Sequence, residues 1–283
     1  MAETDTDPHT SEPVGSYIAQ MGLRFESADG VTTGRLPVVP ALCRATGLVR
    51  IGALTILADC VAGFDALSAF DMAWVGTSEL AVHGPFRETA AGEIVATGRL
   101  LKRRRTGGVF EVTVHDGGTG PGGHDRPLAT ATTTLSLLGQ QTGTKVGAAI
   151  AEHVGAHAAV SAVRSLDQLV RPERLVGGGL RLAITGNVRN SWQVLSGGIA
   201  ALLAELAAES AAEAVLGGPW VVDGLGLHFL APGRVGPIEA RAEVVSAPGE
   251  GGPPVAHLRV RLTDAGAGGR QIVAASATAR PLR

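Results

Sequence analysis

Hydrophobic and polar positions along this chain follow two periods, and the switch from one to the other happens twice. From Ile51 to Ala66 the residues I-G-A-L-T-I-L-A-D-C-V-A-G-F-D-A are apolar at nearly every position, which predicts a buried helix extending to Ala69. From Asn190 to Ala212 the residues N-S-W-Q-V-L-S-G-G-I-A-A-L-L-A-E-L-A-A-E-S-A-A read as a loop, a glycine pair and a second long helix. On that helix Gly198, Ala201, Leu202 and Glu205 follow i, i+3, i+4, i+7 spacing and share one face, a stripe that normally buries. Glu205 interrupts the stripe. A carboxylate one turn beyond Ala201 and Leu202 is not where a solvated charge is usually placed.

The stretches after each helix are rich in β-branched residues. Ala73–Val82, Gly92–Arg103, Val109–His115 and Ala129–Leu137 predict four strands, separated by turn signals at Pro85–Ala91, Thr106–Gly108 and Gly117–Gly123. Trp220–Phe229, Gly236–Val245, Val255–Leu262 and Gln271–Ala279 predict four more after the second helix. Met21–Phe25 and Arg35–Val39 precede the first set as shorter strand candidates, and Ser165–Val170 and Leu180–Thr185 precede the second. A helix followed by an antiparallel meander is an α+β unit, the helix laid on a curved sheet.

The two units read as copies. Gly52 and Gly198 are 146 residues apart, as are Asp59 and Glu205, and in each copy the acid comes seven residues after the glycine. Seven residues make two turns, so acid and glycine share a helix face. The closing strands R-P-L-A-T-A-T-T-T-L from Arg126 and R-Q-I-V-A-A-S-A-T-A from Arg270 also echo each other. The expected organisation is a polar tail (1–15), a first unit (16–138), a linker with an Ala-rich helix (139–164) and a second unit (165–283). Two copies on one chain can imitate a symmetric homodimer about a pseudo-two-fold axis.

Charge changes the picture by exclusion. With 24 basic and 26 acidic residues the net charge is −2, which argues against a general binder of nucleic acid or membrane surfaces. No run of 18 apolar residues lacks a charge, so no transmembrane helix is expected. The acidic start, M-A-E-T-D-T-D-P-H-T-S-E-P, is unlike a signal peptide. The two cysteines, Cys43 and Cys60, read as reduced thiols and suggest a cytoplasmic setting.

The duplicated helix and meander, with G-G-I-A-A-L-L-A-E and G-A-L-T-I-L-A-D on the helices, resembles the hotdog-fold acyl-CoA thioesterases of the phenylacetyl-CoA and hydroxybenzoyl-CoA groups. That resemblance implies a tandem, or double, hotdog. The family pattern is an Asn or Gln, then His-Gly-Gly six residues on, then an acid nine residues after the His. Asn190, Gly197, Gly198 and Glu205 fit it, and Ser196 stands where the family has His. In the first copy Arg44, Arg50 and Ile51 replace the Asn, the His and one Gly, while Gly52 and Asp59 are kept. The resemblance further implies an acyl-CoA or acyl-carrier-protein substrate, a role in lipid metabolism, no cofactor, and further association into a homo-oligomer.

Thioester hydrolysis needs an oxyanion stabiliser and a group that activates water or attacks directly. A glycine-bearing helix entrance suits the first task, and a carboxylate in a partly apolar place suits the second. Gly198 and Glu205 are roughly 10.5 Å apart along one helix, at about 1.5 Å per residue. A reacting carbonyl must lie about 3 Å from both groups, so one helix cannot supply both. Antiparallel helices can: Gly198 then faces Asp59, and Gly52 faces Glu205. In the better-equipped site Asn190 would polarise the thioester, the Gly198 N–H would meet the oxyanion, and Asp59 would be base or nucleophile. The site of Glu205 and Gly52 lacks the Asn and is expected to be the weaker.

Lys102-Arg103-Arg104-Arg105 is the one dense basic run, at a hairpin end. Arg103 and Arg104 are candidates for binding CoA phosphates, since guanidinium forks suit them. Without an aromatic platform the run does not point to nucleic acid. His153 and His157 have i, i+4 spacing but no third ligand, so no metal site is expected. Two rival readings stay open. Asp223 and His228 have the Asp-x4-His spacing of hotdog hydratases and dehydratases, though a strand would put them on opposite faces. A non-catalytic acyl-CoA-binding protein is the other.

Overall fold

Both apolar runs form long helices, and one sheet packs around the pair. The structure, a computed structural model, describes residues 17–28, 30–44, 46–71, 73–85, 92–117, 127–138, 165–190, 192–249 and 254–282. The expected tail, the linker helix with His153 and His157, and most of the Gly117–Gly123 turn lie outside the described residues.

In the first half, α1 (Tyr17–Gln20), β1 (Arg24–Ala28) and β2 (Val31–Pro37) precede α2 (Ile51–Ala69), and β3 (Val75–His83), β4 (Glu93–Arg104), β5 (Gly107–Asp116) and β6 (Pro127–Leu137) follow it. In the second, α3 (Leu166–Val170), β7 (Glu173–Arg174) and β8 (Leu180–Leu182) precede α4 (Gly197–Leu216), and β9 (Trp220–Phe229), β10 (Ile238–Ser246), β11 (Ala256–Asp264) and β12 (Arg270–Pro281) follow it.

The described strands form one antiparallel sheet in the order β1-β2-β4-β5-β6-β3-β9-β12-β11-β10-β8-β7. Read outward from the β3–β9 joint, the two halves have the same order. At the joint Leu80 pairs with Leu227 and Ala81 with Gly226. An offset of 146 carries Leu80 to Gly226 and Ala81 to Leu227, so each residue pairs with the copy of its neighbour. That is the register of a two-fold axis between Leu80 and Ala81.

Glycine sets how closely the helices approach. A Cβ on Gly198 would meet the Ile56 Cα at 2.9 Å, and one on Gly52 would meet the Leu202 Cα at 3.2 Å. Gly198→Ala is therefore expected to force the helices apart and lower thermal stability by about 1–3 kcal/mol, the usual cost of overpacking a core, as a melting curve would read. Leu54, Ile56, Leu57 and Val61 of α2 are fully buried, each contributing about 1.5–3 kcal/mol. By length and composition α2 could cross a bilayer, contrary to the sequence expectation, with hydropathy 1.5 over its best 18-residue window. But 72% of that window is buried inside the fold, so its apolar surface already has a partner.

Several predicted elements move. Ser165–Val170, expected as a strand, is the helix α3. The Ser165 N–H donates to Gln168 Oε1 and the Gln168 N–H to Ser165 Oγ, both at 3.2 Å, a reciprocal capping box that opens a helix. Leu180–Thr185 shortens to β8. Met21–Phe25 and Arg35–Val39 become the hairpin β1–β2, closed where Ala28 pairs with Val31 beside Gly30 at φ 77°.

At the far end of the second half, Asp264 clamps the β9–β10 loop. Its carboxylate accepts from the Arg234 and Gly236 N–H groups at 2.8 Å, from Val235 at 3.0 Å and from Ala267 at 3.3 Å. Burial alone would raise this carboxyl; the four N–H donors more than offset it and hold it below the usual range. A depressed folded pKa gives stability that is present above about pH 3.9 and lost as pH falls through the folded value. Asp264→Asn should lower stability by about 1.5–3 kcal/mol at pH 7, with the gap to the parent protein closing in denaturant melts run toward pH 3.

Candidate active site

The entrance of α4 meets the middle of α2 across the pseudo-dyad, where Asp59 stands. The Gly198 N–H lies near the Asp59 carboxylate and favours its charged form. The Thr77 hydroxyl, at the start of β3, donates to Asp59 Oδ1 at 2.8 Å. A Cβ on Gly197 would lie 2.9 Å from Asp59 Oδ2, so glycine is what lets the helix entrance close on the acid. Burial pushes the Asp59 carboxyl up, and the bonds from Thr77 and Gly198 only partly oppose it. A carboxyl raised in this way is suited to taking and returning a proton.

Two hydroxyls complete the cluster. Ser196, the N-cap residue of α4, makes no side-chain capping bond. Its Oγ lies 2.8 Å from the hydroxyl of Tyr17, which α1 brings in from 179 residues away. Both side chains are buried. The Cys60 thiol adjoins Tyr17; burial first, then the charge of Asp59, push it far up, so it stays protonated and is no nucleophile. Above this group the Trp74 and Trp192 rings meet at 4.0 Å and pin the α4 entrance loop to the start of β3.

One sequence assignment changes, while Gly198, expected to offer its N–H to the oxyanion, has that N–H near the Asp59 carboxylate. Asn190 turns its own loop: its Oδ1 accepts from the Trp192 N–H at 3.0 Å and the Val194 N–H at 3.4 Å. Only its Nδ2 could still be offered to a carbonyl.

The symmetry-related place is closed. Glu205 Oε2 accepts from the Gly52 N–H at 3.0 Å, the contact expected of that pair. Its Oε1 is held by Arg44 Nη2 at 2.7 Å, with Arg50 Nε at 3.5 Å. The same arginines bind Glu209, whose Oε1 also accepts from the Val222 N–H at 3.1 Å. Burial, and then the charge of Glu205, push the Glu209 carboxyl up to about 7, against the pull of Arg44 and Arg50. Arg44 stands where the second copy has Asn190, and Arg50 where it has Ser196. A backbone bridge repeats as well: the Arg44 N–H donates to the Leu48 carbonyl and the Asn190 N–H to the Val194 carbonyl. The loop is kept while two guanidiniums fill the space it frames. A fully buried Glu205 bound on both oxygens is an ion-pair partner, not the catalytic base expected from its spacing.

The remaining candidates separate. Arg103 and Arg104 are exposed at the β4–β5 hairpin, and the Arg103 guanidinium sits 5.0 Å over the Phe70 ring. Thr77 pairs with Leu135, Leu135 with Gly108 and Gly108 with Arg103. Three strand spacings put Arg103 about 14 Å from Thr77. Asp223 accepts from the Thr278 hydroxyl at 2.9 Å and lies by Arg280, while exposed His228 faces Glu79. These separate partners give no shared hydratase site. Among the described residues no three His, Cys, Asp or Glu side chains gather as a metal site.

The thioesterase superfamily matches residues 193–249, the segment that carries α4, β9 and β10. No curated protein matches the chain. Among solved structures, a tesB protein of Mycobacterium avium subsp. paratuberculosis is similar at TM-score 0.63 and 11% identity, over 96% of this chain and all of that one. The 12:0-ACP thioesterase of Umbellularia californica is similar at TM-score 0.59 and 12% identity, over 89% of this chain and 95% of that one. An acyl-ACP thioesterase of Bacteroides thetaiotaomicron gives TM-score 0.56 at 11% identity, over 89% and 98%. At such identities the likeness is one of fold. With the superfamily match over residues 193–249 it supports a thioesterase of hotdog fold, and with that a thioester hydrolase.

Proposed function

We propose that the chain hydrolyses the thioester of an acyl-CoA or acyl-carrier protein at one site shared by the two halves of a tandem hotdog, divided as 16–138 and 165–283. The observation that carries this reading is Asp59 of one half packed against the entrance of the other half's helix and bonded by Thr77. Asp59 is the base. Water attacks the thioester carbonyl carbon and gives its proton to Asp59, with Thr77 orienting both. The C–S bond then breaks, the thiolate recovers that proton, and a carboxylic acid and a thiol leave. Arg103, with Arg104 beside it, lies at a distance a pantetheine arm can span and would meet the phosphates. The setting is cytoplasmic, where such thioesters occur with reduced thiols.

The test is thiol release from acetyl-, octanoyl-, palmitoyl- and benzoyl-CoA and from an octanoyl-carrier protein. Turnover of at least one is expected. Tight binding of an acyl-CoA with no thiol released over hours would replace this reading with the non-catalytic one.

A further inference from the structure

We infer that Ser196 supplies the hydrogen bond to the thioester carbonyl and that Tyr17, through its hydroxyl contact with Ser196, is the positioning residue that aims it. The inference rests on the thioesterase reading and deepens it. A thioester attacked beside Asp59 develops negative charge on its carbonyl oxygen, and a donor must meet it. The donor expected from the sequence, the Gly198 N–H, is engaged electrostatically by the Asp59 carboxylate. Asn190 has its acceptor oxygen in its own loop. A side-chain hydroxyl at the same entrance is that of Ser196, next in the chain to Gly197, where a Cβ would lie 2.9 Å from Asp59 Oδ2.

Ser196 is free of the usual duty of its position. N-cap serines normally accept from the first turn of the helix, and this one does not. Among the described residues its side-chain hydrogen bond is with the Tyr17 hydroxyl at 2.8 Å. The two hydroxyls carry two protons and share one hydrogen bond. When the Tyr17 O–H donates to Ser196 Oγ, the serine proton is left to point elsewhere, and the chained bond strengthens it as a donor. Burial keeps the phenol protonated by raising it well above its ordinary value, with the charge of Asp59 adding to the effect. Phenol and serine thus stand where the resembled pattern has an imidazole. Nothing near residue 17 in the sequence points to this, because the contact spans 179 residues.

The experiment uses the full chain, on the most rapidly turned-over acyl-CoA of the panel above. Ser196→Ala should lower kcat about 10²–10³-fold, the effect of losing one preorganised oxyanion donor. Tyr17→Phe should lower it roughly tenfold, what one neutral hydrogen bond is worth, with KM little changed. The double variant should be no slower than Ser196→Ala, since Tyr17 acts only through the serine. Ser196→Thr should recover most of the lost rate. Two CoA analogues separate this role from a structural one. Ser196→Ala should weaken binding of the methylene ketone analogue, which keeps the carbonyl, and leave binding of the S-alkyl thioether, which lacks it, unchanged. Unaltered kcat in both single variants, or equal losses for both analogues, would overturn the inference even if Tyr17→Phe folded poorly. Inactive Asp59→Asn beside fully active Ser196→Ala would overturn this inference alone. A parent protein inactive on every thioester would overturn the function as well.

Discussion

Asp59→Asn is expected to lower kcat about 10²–10⁴-fold on the preferred thioester, the range for removal of a general base. The change keeps the size and planarity of the side chain and still offers Thr77 an acceptor, so the helix contact at Gly197 survives. What it removes is the ability to hold a proton. The pH profile gives a second reading. Because burial raises the Asp59 carboxyl, the parent rate should climb with pH through an ionisation above the ordinary value of about 3.9. That limb should vanish in the Asn variant. Glu205→Gln is the companion measurement: it should keep kcat and lose stability, because Glu205 belongs to the ion-pair quartet. Full activity of Asp59→Asn, or loss of catalysis confined to Glu205→Gln, would reverse the assignment of the two sites.

Arg44→Ala is expected to cost about 3–5 kcal/mol of stability, the usual consequence of stripping one partner from a buried ion pair. Arg44 reaches both Glu205 and Glu209, and its side chain is only 11% exposed. Without it, two carboxylates in the core share Arg50 alone. For a domain of this size the melting temperature should fall by about 10 °C. The sign of the pH effect follows from Glu209. Its folded pKa is raised to about 7, so the folded state holds a proton that the unfolded state has already released above its own, ordinary value. Below pH 7 Glu209 is neutral and needs Arg44 less, so the deficit should be smaller at pH 5 than at pH 8. A deficit that does not change between those two pH values would show that the quartet does not carry charge as described.

The ion-pair quartet also explains why one site suffices. Each half brings a glycine entrance and an acid, but among the described residues two arginines fill the Glu205 place and a threonine hydroxyl is bonded at Asp59. A tandem chain can change its two copies independently, which a true homodimer cannot, and here the change has turned one of two equivalent clefts into core.

Much of this was legible along the chain. Seven residues from glycine to acid, repeated at an offset of 146, put Gly52 beside Glu205 and Gly198 beside Asp59, because helix periodicity is a local property that spacing reveals. The β-branched runs gave the main strands for the same reason. Ser165–Val170 failed as a strand because its capping box, a reciprocal pair of side-chain bonds, outweighed three apolar positions in six. The chemistry of each acid was not legible. Asp59 and Glu205 have like spacing and like neighbours in the sequence, and they differ by what arrives from elsewhere: Thr77 and a buried phenol at one, two guanidiniums at the other. Those partners lie from 18 to more than 150 residues away, and only packing selects them. Periodicity, a short-range property, thus determined the helices, the main strands and the duplication. Solvation and charge pairing, which depend on everything packed nearby, decided which carboxylate keeps a hydroxyl partner and which is locked in a salt bridge.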